Sequence, residues 1–298
     1  MKTNFYKGLI TALVTPFQNN KIDKAALEKL IILQIQSGVS ALIIGGSTGE
    51  GTSLEEEEYY DLIKLSNEIS EKKIAIIASL SASATEHAIK KIRKLNSLEI
   101  EGIMCSSPHY VKAEQNGIIK YFQTLHNNTN LPLMLYNNPS RTGVELTDSS
   151  ILKLSEYPRI VAIKDAGNDI CRPLRLSGKV PINFNMLTGN DENCIAYSSH
   201  GGRGCVSVIS NILPKESKQL QEYLSKGDYL KAIKLQQKIL PVYKALFIES
   251  NPIGIKCAMQ LLNLCSDETR LPLTKIRLKR SNLIKKALIL LGEYDVRI

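Results

Sequence analysis

The chain has 298 residues, 43% of them hydrophobic and 22% charged, which is the composition of a globular protein with a sizeable buried core. No apolar run approaches the ~18 residues of a membrane helix, and the short apolar stretch Leu9–Val14 lacks a secretory cleavage pattern, so a cytoplasmic protein off the membrane is expected. The 38 basic and 29 acidic residues leave a net charge of +9, but the lysines are dispersed. Their modest clusters, Lys90 to Lys94 and Lys275 to Arg280, alternate with apolar residues as solvated helix faces do, which argues against nucleic-acid binding. The cysteines at 105, 171, 194, 205, 257 and 265 show no Cys-x-x-Cys pair and no nearby His at zinc-site spacing. Buried free thiols and no metal are expected.

In chain order, eight apolar, β-branched runs read as strands: Leu9–Val14, Ala41–Ile44, Ile74–Ser79, Gly102–Cys105, Pro132–Tyr136, Val161–Lys164, Phe184–Leu187 and Gly204–Ile209. Helical patterns lie between them. Asp23 is placed to cap a helix carrying Leu27, Leu30, Ile31 and Ile35. Ser53 is expected to cap the next one, and Ser83 the one after. Further helices are expected over Gln115–Leu125, Ser149–Ser155 and Glu192–Ser199, with a short one after Gly167. This strict alternation predicts a parallel sheet, and the number of units fits an α/β fold of the closed (β/α)8 TIM-barrel kind. An open doubly wound sheet is the alternative, weakened by the lack of Gly-x-Gly-x-x-Gly in the first βα turn. After Pro214 the pattern is helical only, over Leu220–Leu224, Tyr229–Leu240, Ile255–Leu264 and Leu283–Leu291. The expected division is a barrel over 1–225 and a C-terminal helical domain over 226–298.

Barrel active sites form at the C-terminal ends of the strands. There the chain places Gly45-Gly46-Ser47-Thr48-Gly49-Glu50-Gly51 after the second strand and Tyr136-Asn137-Asn138-Pro139-Ser140-Arg141 after the fifth. Lys164 ends the sixth, Thr188-Gly189 the seventh, and Gly201-Gly202-Arg203-Gly204 opens the eighth. Taken singly, each has a plain structural account. A Gly-rich loop suits any tight turn, Arg141 can be a surface residue of a Pro-containing turn, and a strand-end Lys can extend its head into water. Together they offer an amine, a phenol, hydroxyls and a guanidinium on one face, the set that carbonyl chemistry uses.

These residues resemble the dihydrodipicolinate synthase family of the pyruvate-dependent class I aldolase superfamily, which includes N-acetylneuraminate lyase. The resemblance runs from Gly8 to about Leu273. It rests on Gly46-Ser47-Thr48-Gly49-Glu50, Tyr136 to Gly143, Ile163-Lys164-Asp165-Ala166, Gly201 to Gly204, Glu249-Ser250-Asn251-Pro252-Ile253 and Arg270-Leu271-Pro272-Leu273. It implies a barrel with a C-terminal helical domain, assembled as a homotetramer, acting on pyruvate and aspartate semialdehyde with no metal or organic cofactor.

Carried over position by position, the resemblance makes Lys164 the Schiff-base lysine and Tyr136 the proton-shuttling tyrosine. Ser47 stands where the synthases usually have Thr, as the middle hydroxyl of a relay. Tyr110 matches a tyrosine supplied across a tight dimer to the neighbour's relay. Thr48 would bind the pyruvate carboxylate and Arg141 the carboxylate of the aldehyde, with Gly189 and Val206 as backbone contacts near the lysine. Ser47 also suits the sialic-acid lyases, whereas Arg141 favours the synthases. A basic binding protein on a retained barrel is the reading from another class. Relatives inhibited by lysine hold it with residues that align with Ser83, His87, Glu56 and His109 here, and those replacements imply weak inhibition or none.

Overall fold

The structure is a computed structural model that describes residues 4–292. In chain order, β1 (Gly8–Ala12) is followed by a small antiparallel hairpin, β2 (Phe17–Gln18) and β3 (Lys21–Ile22). The remaining strands are β4 (Ala41–Ile44), β5 (Ala75–Leu80), β6 (Gly102–Ser106), β7 (Leu133–Asn137), β8 (Ile160–Asp165), β9 (Asn185–Thr188) and β10 (Gly204–Ser207). All but the hairpin are parallel and close into a barrel in the order β1-β10-β9-β8-β7-β6-β5-β4, with β4 pairing back onto β1. The eight barrel strands are those expected from the sequence, with ends shifted by one or two residues.

Side chains alternate across the barrel wall, as the period of two requires. Ile10, Ile43, Ile77, Met104, Met134, Leu187 and Val206 fill the interior, so it is a packed core and not a pore. The opposite faces of the strands meet the helices in an outer layer that includes Leu42, Ile76, Leu135 and Ile163. Each such buried aliphatic side chain contributes about 1.5–3 kcal/mol relative to exposure.

The helices are α1 (Lys24–Gln36), α2 (Glu56–Ser70), α3 (Thr85–Leu95), α4 (Gln115–Asn127), α5 (Pro139–Thr142), α6 (Asp148–Ser155), α7 (Arg172–Leu176), α8 (Cys194–Ser199), α9 (Pro214–Ser225), α10 (Tyr229–Leu246), α11 (Ile253–Leu261) and α12 (Leu278–Leu291). The Asp23 carboxylate caps α1, accepting from the Ala26 N–H at 3.0 Å. The other two caps differ from expectation. Glu55 occupies the cap of α2, and its N–H donates to Glu58. Ala84 precedes α3 with no side-chain cap, so Ser83 does not play that part. Helix α10 also continues past Leu240 through Pro241 to Leu246. An interior Pro costs about 3 kcal/mol, and the burial of Val242, Ala245 and Leu246 beyond it offsets that cost. The thiols of Cys105, Cys194, Cys205 and Cys257 are buried on strands and helices, but Cys171 is exposed and Cys265 half-buried, because both lie in connecting segments, just before α7 and after α11.

Candidate active site

Strand β8 is buried along its whole length, and alternation turns Ala162 and Lys164 inward while Ile163 packs outside. Lys164 is only 6% exposed. Its register partner on β7 is Tyr136, and its Nζ lies 4.4 Å from the centroid of the phenol ring. The neighbouring Asp165 does not serve as the lysine's counter-ion. Its carboxylate accepts from Arg172 at 2.8 Å, Asn137 at 2.8 Å and the Gly167 N–H at 3.1 Å, and Arg172 also pairs with Glu145 and Asp148.

The Tyr136 hydroxyl accepts a 2.6 Å bond from Asn138 Nδ2 and is hydrogen-bonded by Ser47. Burial pushes this phenol up, but the Lys164 charge, the hydrogen bonds from Asn138 and Ser47, and the Arg141 charge together outweigh it. The net result is a phenol held below its ordinary value. A phenol that gives up its proton more readily, beside an amine, is suited to proton transfer.

Ser47 and Thr48 stand on the loop after β4, which closes tightly on itself. A Cβ on Gly51 would lie 1.8 Å from the Gly45 carbonyl oxygen, so only glycine fits there. Thr48 is buried, and its hydroxyl accepts from Asn251 Nδ2 at 2.9 Å. The Asn251 carbonyl in turn accepts from Arg141 Nη2 at 3.3 Å. Asn251, in the turn between α10 and α11, thus joins the two residues expected to hold carboxylates. Gly189 packs against the lysine stem, where a Cβ would come within 3.0 Å of Lys164 Cε and 2.8 Å of the Ala166 Cβ. Val206 lies inside the barrel, fully buried, with Ile10 as its register partner on β1.

A cavity of about 410 Å³ lies beside Tyr136, lined by Ser47, Tyr136, Asn138, Arg141 and Asn251, with His109 also on its wall; Lys164, Thr48, Gly189 and Val206 are not among its lining residues. Tyr110 is not part of it. Its backbone is left-handed (φ 73°) and its side chain is 90% exposed, beside the exposed Val111. The chain therefore brings together Lys164, Tyr136, Ser47, Thr48, Arg141, Gly189 and Val206, and leaves Tyr110 on the surface. Among the described residues, no group of three or more His, Cys, Asp or Glu is arranged to hold a metal ion.

Sequence reasoning missed Asn138, Asn251 and the fully buried pair Glu50–Lys256, whose atoms approach to 2.5 Å. A signal for the pair existed: Lys256 sits within Ile253-Gly254-Ile255-Lys256-Cys257-Ala258, an apolar helical run where a cation needs a partner.

Comparisons with known proteins place the chain among relatives of one family. A curated 4-hydroxy-tetrahydrodipicolinate synthase from Rickettsia bellii (strain RML369-C) is 49% identical over 272 residues, which cover 91% of this chain and 92% of the relative. The crystal structure of dihydrodipicolinate synthase from Aquifex aeolicus superposes with a TM-score of 0.95 at 31% identity, covering 98% of this chain and all of that one. The 4-hydroxy-tetrahydrodipicolinate synthase of Methylacidiphilum fumariolicum SolV superposes at 0.94 with 34% identity over 96% of each chain. A family model described as the dihydrodipicolinate synthetase family matches residues 5–290. With its barrel, its inward lysine and its relatives in accord, the chain belongs to the dihydrodipicolinate synthetase family.

Proposed function

We propose that this chain is a 4-hydroxy-tetrahydrodipicolinate synthase that condenses pyruvate with L-aspartate 4-semialdehyde through a Schiff base on Lys164, in the diaminopimelate and lysine pathway. The observation that carries the proposal is the buried Lys164 amine beside a Tyr136 phenol held below its ordinary value. The phenol, in its ionised form, takes a proton from Lys164. The neutral amine then attacks the ketone carbon of pyruvate, and water leaves to give a protonated imine. That cation draws electrons from the adjacent methyl group, whose proton departs to form an enamine. The enamine carbon bonds to the aldehyde carbon of the semialdehyde, and the aldehyde oxygen takes up a proton. Finally the substrate's own amine adds to the imine carbon, Lys164 leaves, and a six-membered ring closes. One water is released per turnover, and no electrons are transferred, so the sequence of steps needs no redox cofactor.

Thr48 and the loop N–H groups bind the pyruvate carboxylate in this reading, while Arg141 at the cavity mouth holds that of the semialdehyde. Gly189 and Val206 give backbone contacts near the lysine. Tyr110 completes the Ser47–Tyr136 relay of a neighbouring protomer, which requires at least a tight dimer and fits a cytoplasmic homotetramer built as a dimer of dimers.

The second reading, an N-acetylneuraminate or keto-deoxy-sugar lyase, is favoured by one feature, Ser47 in place of the usual Thr. Borohydride reduction in the presence of pyruvate, followed by peptide mass analysis, tests the first step. The expected result is a pyruvate adduct on Lys164; labelling of another lysine, or none, overturns it. Offering aspartate semialdehyde and N-acetylneuraminate side by side decides between the two enzymes.

A further inference from the structure

Glu50 ends the Gly-rich loop, and the mechanism above leaves it unused. Its backbone is left-handed (φ 50°) and its side chain is 1% exposed. One carboxylate oxygen accepts a 2.5 Å bond from Lys256 Nζ, and Lys256 on α11 is itself fully buried. The other oxygen accepts from the Arg270 backbone N–H at 2.9 Å. Lys256 also donates to the Glu268 carbonyl at 2.8 Å and lies 4.2 Å from the centroid of the Phe17 ring. The Arg270 guanidinium lies 4.4 Å from the same ring and grips Glu58 through two bonds at 2.5 and 2.7 Å. Burial pushes the Lys256 amine down, and the Glu50 charge and hydrogen bond oppose that push.

Two charges removed from water persist only when they are paired and hydrogen-bonded, and removing one strands the other. A buried ion pair is also a poor source of net stability, since well-packed apolar residues in its place are often as good. Its worth here lies in what it fixes. The Gly51 N–H donates to the Gly46 carbonyl at 3.1 Å, so the loop is closed at its neck. Ser47 and Thr48 lie between those closing residues, and Glu50 is the anchor two residues beyond Thr48. A shift of the anchor in so short a closed loop must shift the two hydroxyls.

We propose that the Glu50–Lys256 ion pair is a positioning device that sets Ser47 and Thr48 against the incoming pyruvate, so that substrate capture in the barrel depends on helix α11. The proposal rests on the pyruvate reading given above. Glu50 and Lys256 are positioning residues that touch no substrate.

The test compares the wild type with Glu50→Gln, the double variant E50Q/K256M and the control Glu58→Gln. Glu58→Gln weakens the Arg270 side-chain grip and leaves both charges of the buried Glu50–Lys256 pair in place. Thermal melting reports folding, borohydride trapping over a range of pyruvate concentrations reports capture, and steady-state assays separate KM from kcat. The expected result is that E50Q/K256M folds cooperatively yet needs roughly 10-fold more pyruvate or higher for half-saturation, in keeping with the cost of sub-ångström to 1 Å misplacement. Glu58→Gln should lower the melting temperature while leaving half-saturation unchanged. If the double variant does not fold, Glu50→Gln, which keeps size and hydrogen-bonding reach, decides by the same readout. A folded variant with wild-type half-saturation overturns the proposal, as does an equal rise in Glu58→Gln. Wild-type protein that traps no pyruvate overturns the reaction assignment itself, a result distinct from normal trapping in both.

Discussion

Tyr136 and Lys164 are register partners on neighbouring strands, with the amine nitrogen 4.4 Å from the phenol centroid. A positive charge there favours the phenolate, while burial disfavours it, and the Lys164 charge with the Asn138 and Ser47 bonds wins. Ultraviolet difference titration of the wild type against Tyr136→Phe should therefore show a phenol ionising below the ordinary value of ~10. In Lys164→Met the charge is gone and burial remains, so the same difference should move up in pH. An unchanged titration would show that the amine does not tune the phenol.

Most of this arrangement was legible in the sequence. The β-branched runs fixed the number and order of barrel strands, because each buries both faces in a parallel sheet. Lys164 and Tyr136 stand out because a polar residue near the end of an apolar strand is placed at the barrel mouth. The helix caps at Glu55 and Ala84 were not legible, since Ser53 and Ser83 offer equally good local chemistry and tertiary packing decided between them. Asn251 and Lys256 were missed for a related reason. Their partners, Thr48 and Glu50, lie more than 200 residues away, and no local pattern encodes such a pairing.

Gly189 is expected to be irreplaceable. An alanine Cβ would press on Lys164 Cε at 3.0 Å and on Ala166 at 2.8 Å. Either the lysine stem or the β9 end must move, at a cost of about 1–3 kcal/mol for overpacking. Gly189→Ala should stay folded but trap pyruvate roughly 10²-fold more slowly, as expected for a nucleophile displaced by about an ångström. Trapping at the wild-type rate would show that the lysine tolerates the intrusion.

Arg141 is an exposed residue of the cavity lining, and its Nη2 donates to the Asn251 carbonyl at 3.3 Å. Arg141→Ala should raise the half-saturating concentration of aspartate semialdehyde by about 30-fold or more, the equivalent of losing ~2 kcal/mol of charge-assisted contact. Pyruvate trapping should change little. Equal effects on both substrates would assign Arg141 to the turn and not to the aldehyde.

The exposed Tyr110 is expected to work only in an assembly. Tyr110→Phe keeps the ring and removes the hydroxyl, so turnover should fall by roughly 10²-fold if that hydroxyl completes a proton relay. Light scattering should find the variant in the same oligomeric state as the wild type. Dilution until protomers separate should cost the wild type its activity in parallel. A fully active monomer would remove Tyr110 from the relay.

Free lysine is expected to inhibit weakly or not at all. The resemblance implies that lysine-sensitive relatives grip the effector with an Asn and a Glu, at the positions held here by the half-buried Ser83 and the exposed His87. The shorter Ser reaches less far, and His87 supplies no carboxylate for an ammonium group. Glu56 is the residue with the charge to compensate, but it is already engaged, accepting from Lys94 Nζ at 2.7 Å with its side chain 59% exposed. That hydrogen bond and the Lys94 charge hold its carboxyl below the ordinary range. The nearby cavity wall adds a cation of its own. Lys91 lies there, its Nζ donating to the Ser81 carbonyl at 3.2 Å, and the Ser81 hydroxyl is 3.2 Å from His109 Nδ1. A lysine ligand carries two ammonium groups against one carboxylate, so its extra cation would approach Lys91 without the carboxylate that the replaced Glu would have supplied, and an unpaired charge taken out of water is strongly disfavoured. Titrating lysine into the coupled assay, with calorimetry alongside, checks this: inhibition should remain slight into the millimolar range. Strong inhibition at sub-millimolar lysine would show that Glu56 leaves Lys94 to rebuild the site, and Glu56→Gln should then abolish it.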